Sequence, residues 1–128
     1  MGMTLEYSHY QARLEGMMVA VKRQIVEYLL KSDNLEWQKK AAILDTLSHA
    51  DFVDYACTIV DPTLEPLLVE LRRIDAALCQ CDIGLYGICS DCEEQIETHR
   101  LEKDPCIQRC ESCEKKRQMQ KRQDLFAL

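Results

Sequence analysis

The sequence predicts an all-α dominated fold: an antiparallel coiled-coil helical hairpin, a small body built on four cysteines, and a C-terminal helix. Three observations carry this. Leu14, Met18, Val21, Ile25 and Tyr28 recur at alternating steps of four and three, the spacing of a coiled-coil seam. Leu64, Leu67, Leu71, Ile74, Leu78 and Cys81 repeat the rhythm, and two such stripes in a short chain bury most simply against each other as a hairpin. Cysteines then cluster where this periodicity stops, and a run rich in Lys and Arg follows them.

In the first arm the seam loses phase at Ser32-Asp33-Asn34 and resumes through Trp37, Ala41, Leu44 and Leu47. Asp33 with Glu36 three residues on resembles a capping box, so either a break or a short offset belongs there. Pro62 and Pro66 limit where the second arm begins, because an interior proline removes an intrahelical bond and clashes with the preceding turn. With Thr63 as N-cap, Pro66 falls in the first turn, where the missing N–H costs little. The second arm then runs from about 64 to 83 and stops at Gly84, roughly 30 Å of rod at about 1.5 Å per residue. Between the arms, residues 48–61 form the tip, with Asp51 and Asp54 three positions apart. Taken alone, these two read as helix caps or turn residues.

The 128 residues include 16 Lys+Arg against 22 Asp+Glu, a formal charge of -6. An acidic chain lacks the cations whose counterion release gives sequence-independent affinity for nucleic acid, so no direct nucleic-acid binding is expected. No stretch approaches the roughly 20 apolar residues of a membrane span, and residues 1–6 carry neither a basic leader nor a myristoylation pattern. These features predict a soluble, cytoplasmic protein without a membrane partner. In a reducing compartment, eight cysteines point to metal before disulfides.

Cys89-x-x-Cys92 and Cys110-x-x-Cys113 are separated by seventeen residues, inside the range where two thiolate pairs fold back on one tetrahedral Zn2+. Four sulfurs fill the coordination sphere and leave no place for a reacting water, which predicts one structural zinc. Metal also answers a stability problem. Residues 84–113 hold few large apolar side chains, whereas a structural zinc site contributes about 10–16 kcal/mol of apparent binding energy.

Cys57, Cys79 and Cys81 read most simply as small apolar side chains. Cys106 lies four residues before Cys110, close enough to replace a ligand or to form a disulfide with one once metal is lost. His99 is a further candidate substitute ligand, against the plainer reading of an exposed loop histidine. After Cys113, Glu114 to Leu128 reads as a locally basic helix carrying Lys115, Lys116, Arg117, Lys121 and Arg122. The domain division is 1–83 for the helical hairpin and 84–128 for the zinc body with its helix. No carboxylate is paired with a positioned His, Ser or Lys, so no catalytic residue and no enzyme activity is expected.

Over residues 50–114 the sequence resembles the DksA/TraR family of DnaK-suppressor-like transcription regulators. Tyr86-Gly87-Ile88-Cys89-x-x-Cys92, Ile96, Arg100-Leu101, Pro105 and Cys110-x-x-Cys113 follow the family's order, and Asp51-Phe52-Val53-Asp54-Tyr55-Ala56 matches its D-x-x-D-x-A tip. The resemblance implies binding to bacterial RNA polymerase, with the coiled coil inserted in the secondary channel and Asp51, Asp54 and Ala56 acting near the active centre. Open-complex stability and initiation would change without DNA contact.

The resemblance also implies a possible stringent-response ligand, guanosine tetraphosphate, for which Arg72 and Arg73 are the candidate contacts. Asp104 and Glu114 stand where nucleotide-responsive members carry basic contacts, which predicts weak dependence on it. Glu93 stands where the family commonly has Gly, so the first knuckle must turn without the residue that best tolerates positive φ. Competing expectations are a zinc-stabilised interaction module with another partner, and a thiol redox sensor centred on Cys106.

Overall fold

The computed structural model describes residues 5–126, with side chains from Tyr7 onward. The reading of the first residues as carrying no leader, and the extension of the last helix to Leu128, fall on residues 1–4 and 127–128, outside that description. Six helices follow in order: α1 (Leu5–Leu30), α2 (Leu35–Leu44), α3 (His49–Ala56), α4 (Glu65–Asp82), α5 (Thr98–Lys103) and α6 (Glu111–Phe126). Among the described residues there is no strand, only one antiparallel bridge between Ile88 and Gln95.

The chain divides into two compact units. One spans Ala12–Ala76; the other joins the residues up to Gln11 with those from Ala77 onward. This grouping differs from a division at Gly84 by placing the start of α1 and the last residues of α4 with the cysteine-bearing segment. The local reason is aromatic: Tyr7, Tyr10 and Tyr86 cluster with ring centroids 5.5–6.2 Å apart.

In the Ala12–Ala76 unit, α1 packs with α4 and α2 as a helical hairpin. The buried stripe of α1 is Leu14, Met18, Val21, Ile25 and Leu29, so Leu29 replaces the expected Tyr28. Tyr28 is half-buried and donates its hydroxyl to Asp61 Oδ2 at 2.6 Å. On α4 the buried positions in this unit are Leu68, Leu71 and Ile74, with Leu64 just before the helix. Leu67, expected in the stripe, is only half-buried. Lys22 Nζ of α1 lies 5.0 Å over the Phe52 ring of α3. Burial pushes its pKa down, and the Asp75 carboxylate on α4 partly opposes that.

The first arm is broken rather than offset. Asn34, not Asp33, is the N-cap of α2: its backbone is extended and its Oδ1 accepts from the Glu36 N–H at 2.9 Å. Gln38 Nε2 donates to the Ser32 carbonyl at 2.7 Å, which closes the turn. Entry to α4 is likewise set by a different residue from the expected Thr63. The Asp61 carbonyl accepts from Leu64 and Glu65 at 3.1 and 3.0 Å, and Asp61 Oδ1 takes the Thr63 N–H at 3.4 Å. Pro66 falls in the first turn of α4, as the sequence requires.

In the second unit, α4 ends at Asp82 and is closed by Gly84 at φ 76°. The Leu85 N–H reaches the Gln80 carbonyl at 2.9 Å and the Gly84 N–H reaches Cys81 at 3.2 Å, a Schellman closure that favours glycine at the left-handed position. Gly87 adopts φ +82°, and a Cβ there would lie 2.8 Å from Tyr7 Cζ, so an aromatic ring from α1 explains the glycine after Tyr86. Tyr86 donates to the Pro105 carbonyl at 2.8 Å, and Leu101, Pro105, Ile96 and Cys106 complete a small buried cluster. Helix α6 begins at Glu111, three residues before its expected start, which brings Cys113 into its first turn.

Candidate metal centre and hairpin tip

The first ligand pair sits on a tight knuckle. The Cys89 N–H donates to the Glu94 carbonyl at 2.7 Å and the Glu93 N–H donates back to Cys89 at 3.0 Å. Glu93 closes the turn at φ 64°, the one non-glycine residue with positive φ among the described residues. The second pair is built on a helix start, where the Cys110 carbonyl accepts from the Glu114 N–H at 2.9 Å. Backbone also ties the two together, through the Ser90 N–H to the Gln108 carbonyl at 2.8 Å.

The four Sγ atoms of Cys89, Cys92, Cys110 and Cys113 lie within 4.8 Å of one another. A tetrahedral ion with metal–sulfur bonds of about 2.3 Å places neighbouring sulfurs about 3.8 Å apart, and Cys92 and Cys110 are separated by 3.8 Å. The set could therefore hold one metal ion. Thiol chemistry agrees with this. Burial opposes ionisation of Cys89, but N–H groups of Cys92, Cys110 and Asp91 directed at its sulfur bring it down to about 6. Hydrogen bonding to Cys110, then burial and the other two sulfurs, push Cys113 up to about 12. Crowded sulfurs thus oppose ionisation of Cys113, and a cation among them would relieve that opposition.

Neither proposed substitute ligand joins this set. Cys106 is buried, with its N–H donating to Asp104 Oδ1 at 3.0 Å, and His99 is exposed on α5. Cys81 is buried as expected, whereas Cys79 is exposed; it lies off the α4 stripe, so packing does not account for it. Cys57 is half-buried, with Arg72 Nη1 at 3.7 Å from its sulfur.

At the tip, Ser48 caps α3 by accepting from the Asp51 N–H at 3.5 Å. Asp51 and Asp54, three apart on one face of α3, are both exposed, while Ala56 is 0% exposed. A partner therefore meets two carboxylates, and Ala56 can act only through packing. Sequence reasoning missed Val60, which is 93% exposed in the segment that follows α3; its isolation from any apolar period was the available signal. It also missed His49, whose Nε2 lies 2.9 Å from Asp75 Oδ1. That His–carboxylate pair, which the sequence did not lead us to expect, ties α3 to α4.

Arg72 pairs with Glu65 at 3.0 Å and Arg73 with Glu70 at 3.3 Å, so an anion would have to displace both carboxylates. A separate cleft of about 590 Å³ opens beside the sulfurs, between Asp91, Cys92 and Arg109 on one side and Cys113, Lys116 and Arg117 on the other. No helix among the described residues is long and apolar enough to cross a membrane. Compared with known proteins, the chain matches no family model, no curated protein and no solved structure.

Proposed function

We propose that this chain is a zinc-dependent regulator of transcription that docks on bacterial RNA polymerase and presents Asp51 and Asp54 inside the secondary channel. The observation that carries the reading is the exposed carboxylate pair on a capped helix between two packed arms, in a chain that also assembles four thiols around one point. Two negative charges on a short helix act on basic polymerase groups, or on the field around its catalytic metal ions, where charge is weakly screened. Val60 adds an apolar contact beside them. In this reading the protein is cytoplasmic, does no chemistry of its own, contacts no DNA sequence and takes zinc as its ion. The engagement of Arg72 and Arg73 by glutamates favours action without guanosine tetraphosphate.

The test is pull-down of core polymerase followed by in vitro transcription from a ribosomal promoter, with wild type, Asp51→Asn and Asp54→Asn. The expected result is equal retention of all three proteins and loss of most of the transcriptional effect in either variant. Retention with an unchanged effect removes the tip mechanism. Absence of retention at low salt removes polymerase as the partner and favours a zinc-stabilised module with another one.

A further inference from the structure

The second ligand pair is held by side chains that come from outside it. Glu97 occupies the N-cap position of α5, yet makes no capping bond to that helix. Both its carboxylate oxygens instead accept from the Glu111 N–H, at 3.2 and 3.3 Å. Glu111 is the first residue of α6 and follows Cys110 directly, so Glu97 caps a helix fourteen residues away in sequence. A carboxylate there meets both an unpaired donor and the positive end of the helix dipole. One turn along α5, Arg100 Nη2 donates to the Arg109 carbonyl at 3.1 Å, immediately before Cys110. The guanidinium of Arg109 then crosses to the first knuckle, its Nε donating to Asp91 Oδ2 at 2.9 Å. Asp91 lies between Cys89 and Cys92.

From this geometry we infer that Asp91, Glu97, Arg100 and Arg109 form a latch of positioning residues that fixes the Cys110–Cys113 pair against the Cys89–Cys92 pair and sets how slowly the bound ion leaves. The inference rests on the metal reading above and adds to it a control on exchange. The two ties have separate work. Glu97 and Arg100 fix the backbone on either side of Cys110, and Asp91 with Arg109 stops the two knuckles from parting. The Asp91–Arg109 pair is 45% and 29% exposed, so salt weakens it without abolishing it. Groups that orient metal ligands from behind typically change metal affinity about 10–100-fold when removed.

The experiment loads the full chain with zinc and follows transfer of the ion to a chromogenic chelator, at low and high salt, for wild type, Asp91→Asn, Arg109→Gln, the double variant and Glu97→Ala. Cobalt loading supplies a second readout, because tetrahedral tetrathiolate absorption reports ligand geometry directly. The expected result is release roughly tenfold faster in each single variant, with the double variant no faster than either of its parents. Faster release in wild type at high salt, largely absent in Arg109→Gln, is expected too. Weaker or shifted cobalt bands in Glu97→Ala would accompany these changes.

Unchanged release in all variants, or effects of Asp91→Asn and Arg109→Gln that multiply in the double variant, would overturn the latch while leaving the metal site standing. A wild-type chain that takes up neither zinc nor cobalt removes the metal reading itself, and the latch with it.

Discussion

The hairpin and the metal unit solve the same folding problem with different materials. In residues 12–76 the stripes Leu14, Met18, Val21, Ile25 and Leu29 on one arm and Leu68, Leu71 and Ile74 on the other are buried, so apolar area removed from water holds the unit. Each such leucine contributes about 1.5–3 kcal/mol of transfer free energy. In the other unit the apolar cluster is small, and order depends on knuckles, caps and four sulfurs drawn to one point. Structure of that kind loses little when one apolar atom is trimmed but would collapse on removal of an ion held by its four sulfurs. The hairpin should behave in the opposite way.

Metal removal gives the largest separation between the two. Stripping zinc from the loaded chain should abolish hydrogen-exchange protection in α5 and the first turn of α6 and leave the middle of α1 and α4 protected, because a structural zinc would supply about 10–16 kcal/mol of apparent binding energy to the unit that holds it. Cys113→Ser should reproduce the pattern. Simultaneous loss of protection in both regions would show that they unfold as one, and the contrast drawn from their interiors would be wrong. Next in size is Leu71→Ala, at a position with 0% exposure. It should destabilise the hairpin by about 3–5 kcal/mol, seen as a fall in the helical melting temperature, with zinc transfer to a chelator unaltered.

The same contrast decides what could be read from the amino-acid sequence. Thiolate spacing is a local code: two C-x-x-C pairs at a workable distance specify a convergent cluster almost independently of their surroundings, and the structure brings those four sulfurs together. Apolar periodicity gave the helices and the hairpin but blurred its register. The rule of alternating fours and threes selected Leu67 and Leu78, whereas burial falls on Leu68 and Ala77. At position 77 the buried side chain is a methyl group, which the alternating rule passes over for the leucine beside it.

Caps were less legible still. Asp33 and Asn34 have nearly the same capping chemistry, so only backbone geometry chooses between them, and Asp61 displaced Thr63 for the same reason. The exchange of Tyr28 for Leu29 reflects a hydroxyl that found Asp61 at 2.6 Å, a partner thirty-three residues away. Long-range side-chain ties of this sort, Glu97 to α6 among them, leave no periodic trace. Nor does the aromatic cluster of Tyr7, Tyr10 and Tyr86.

Glu93 offers the smallest effect and the most specific one. Its φ of 64° is the left-handed conformation, which brings the Cβ of an L-residue near the following carbonyl oxygen at a cost of about 1–2 kcal/mol. Glycine escapes that clash but loses roughly 0.5–1 kcal/mol more conformational freedom on folding. Glu93→Gly should therefore stabilise the knuckle by a net amount of about 1 kcal/mol or less. Glu93→Val, β-branched at a position that needs positive φ, should destabilise it by more than that.

Both changes belong to the metal unit, so they should appear in chelator competition and in exchange of the Glu93 and Glu94 amides, while the hairpin's protection stays fixed. The Glu93 side chain is exposed, which separates backbone strain from packing in a way no buried position allows. If Glu93→Gly instead loosened the ion, the carboxylate would have to be stabilising the knuckle by more than its backbone strain costs. Glu93→Gln would then identify the charge as the cause.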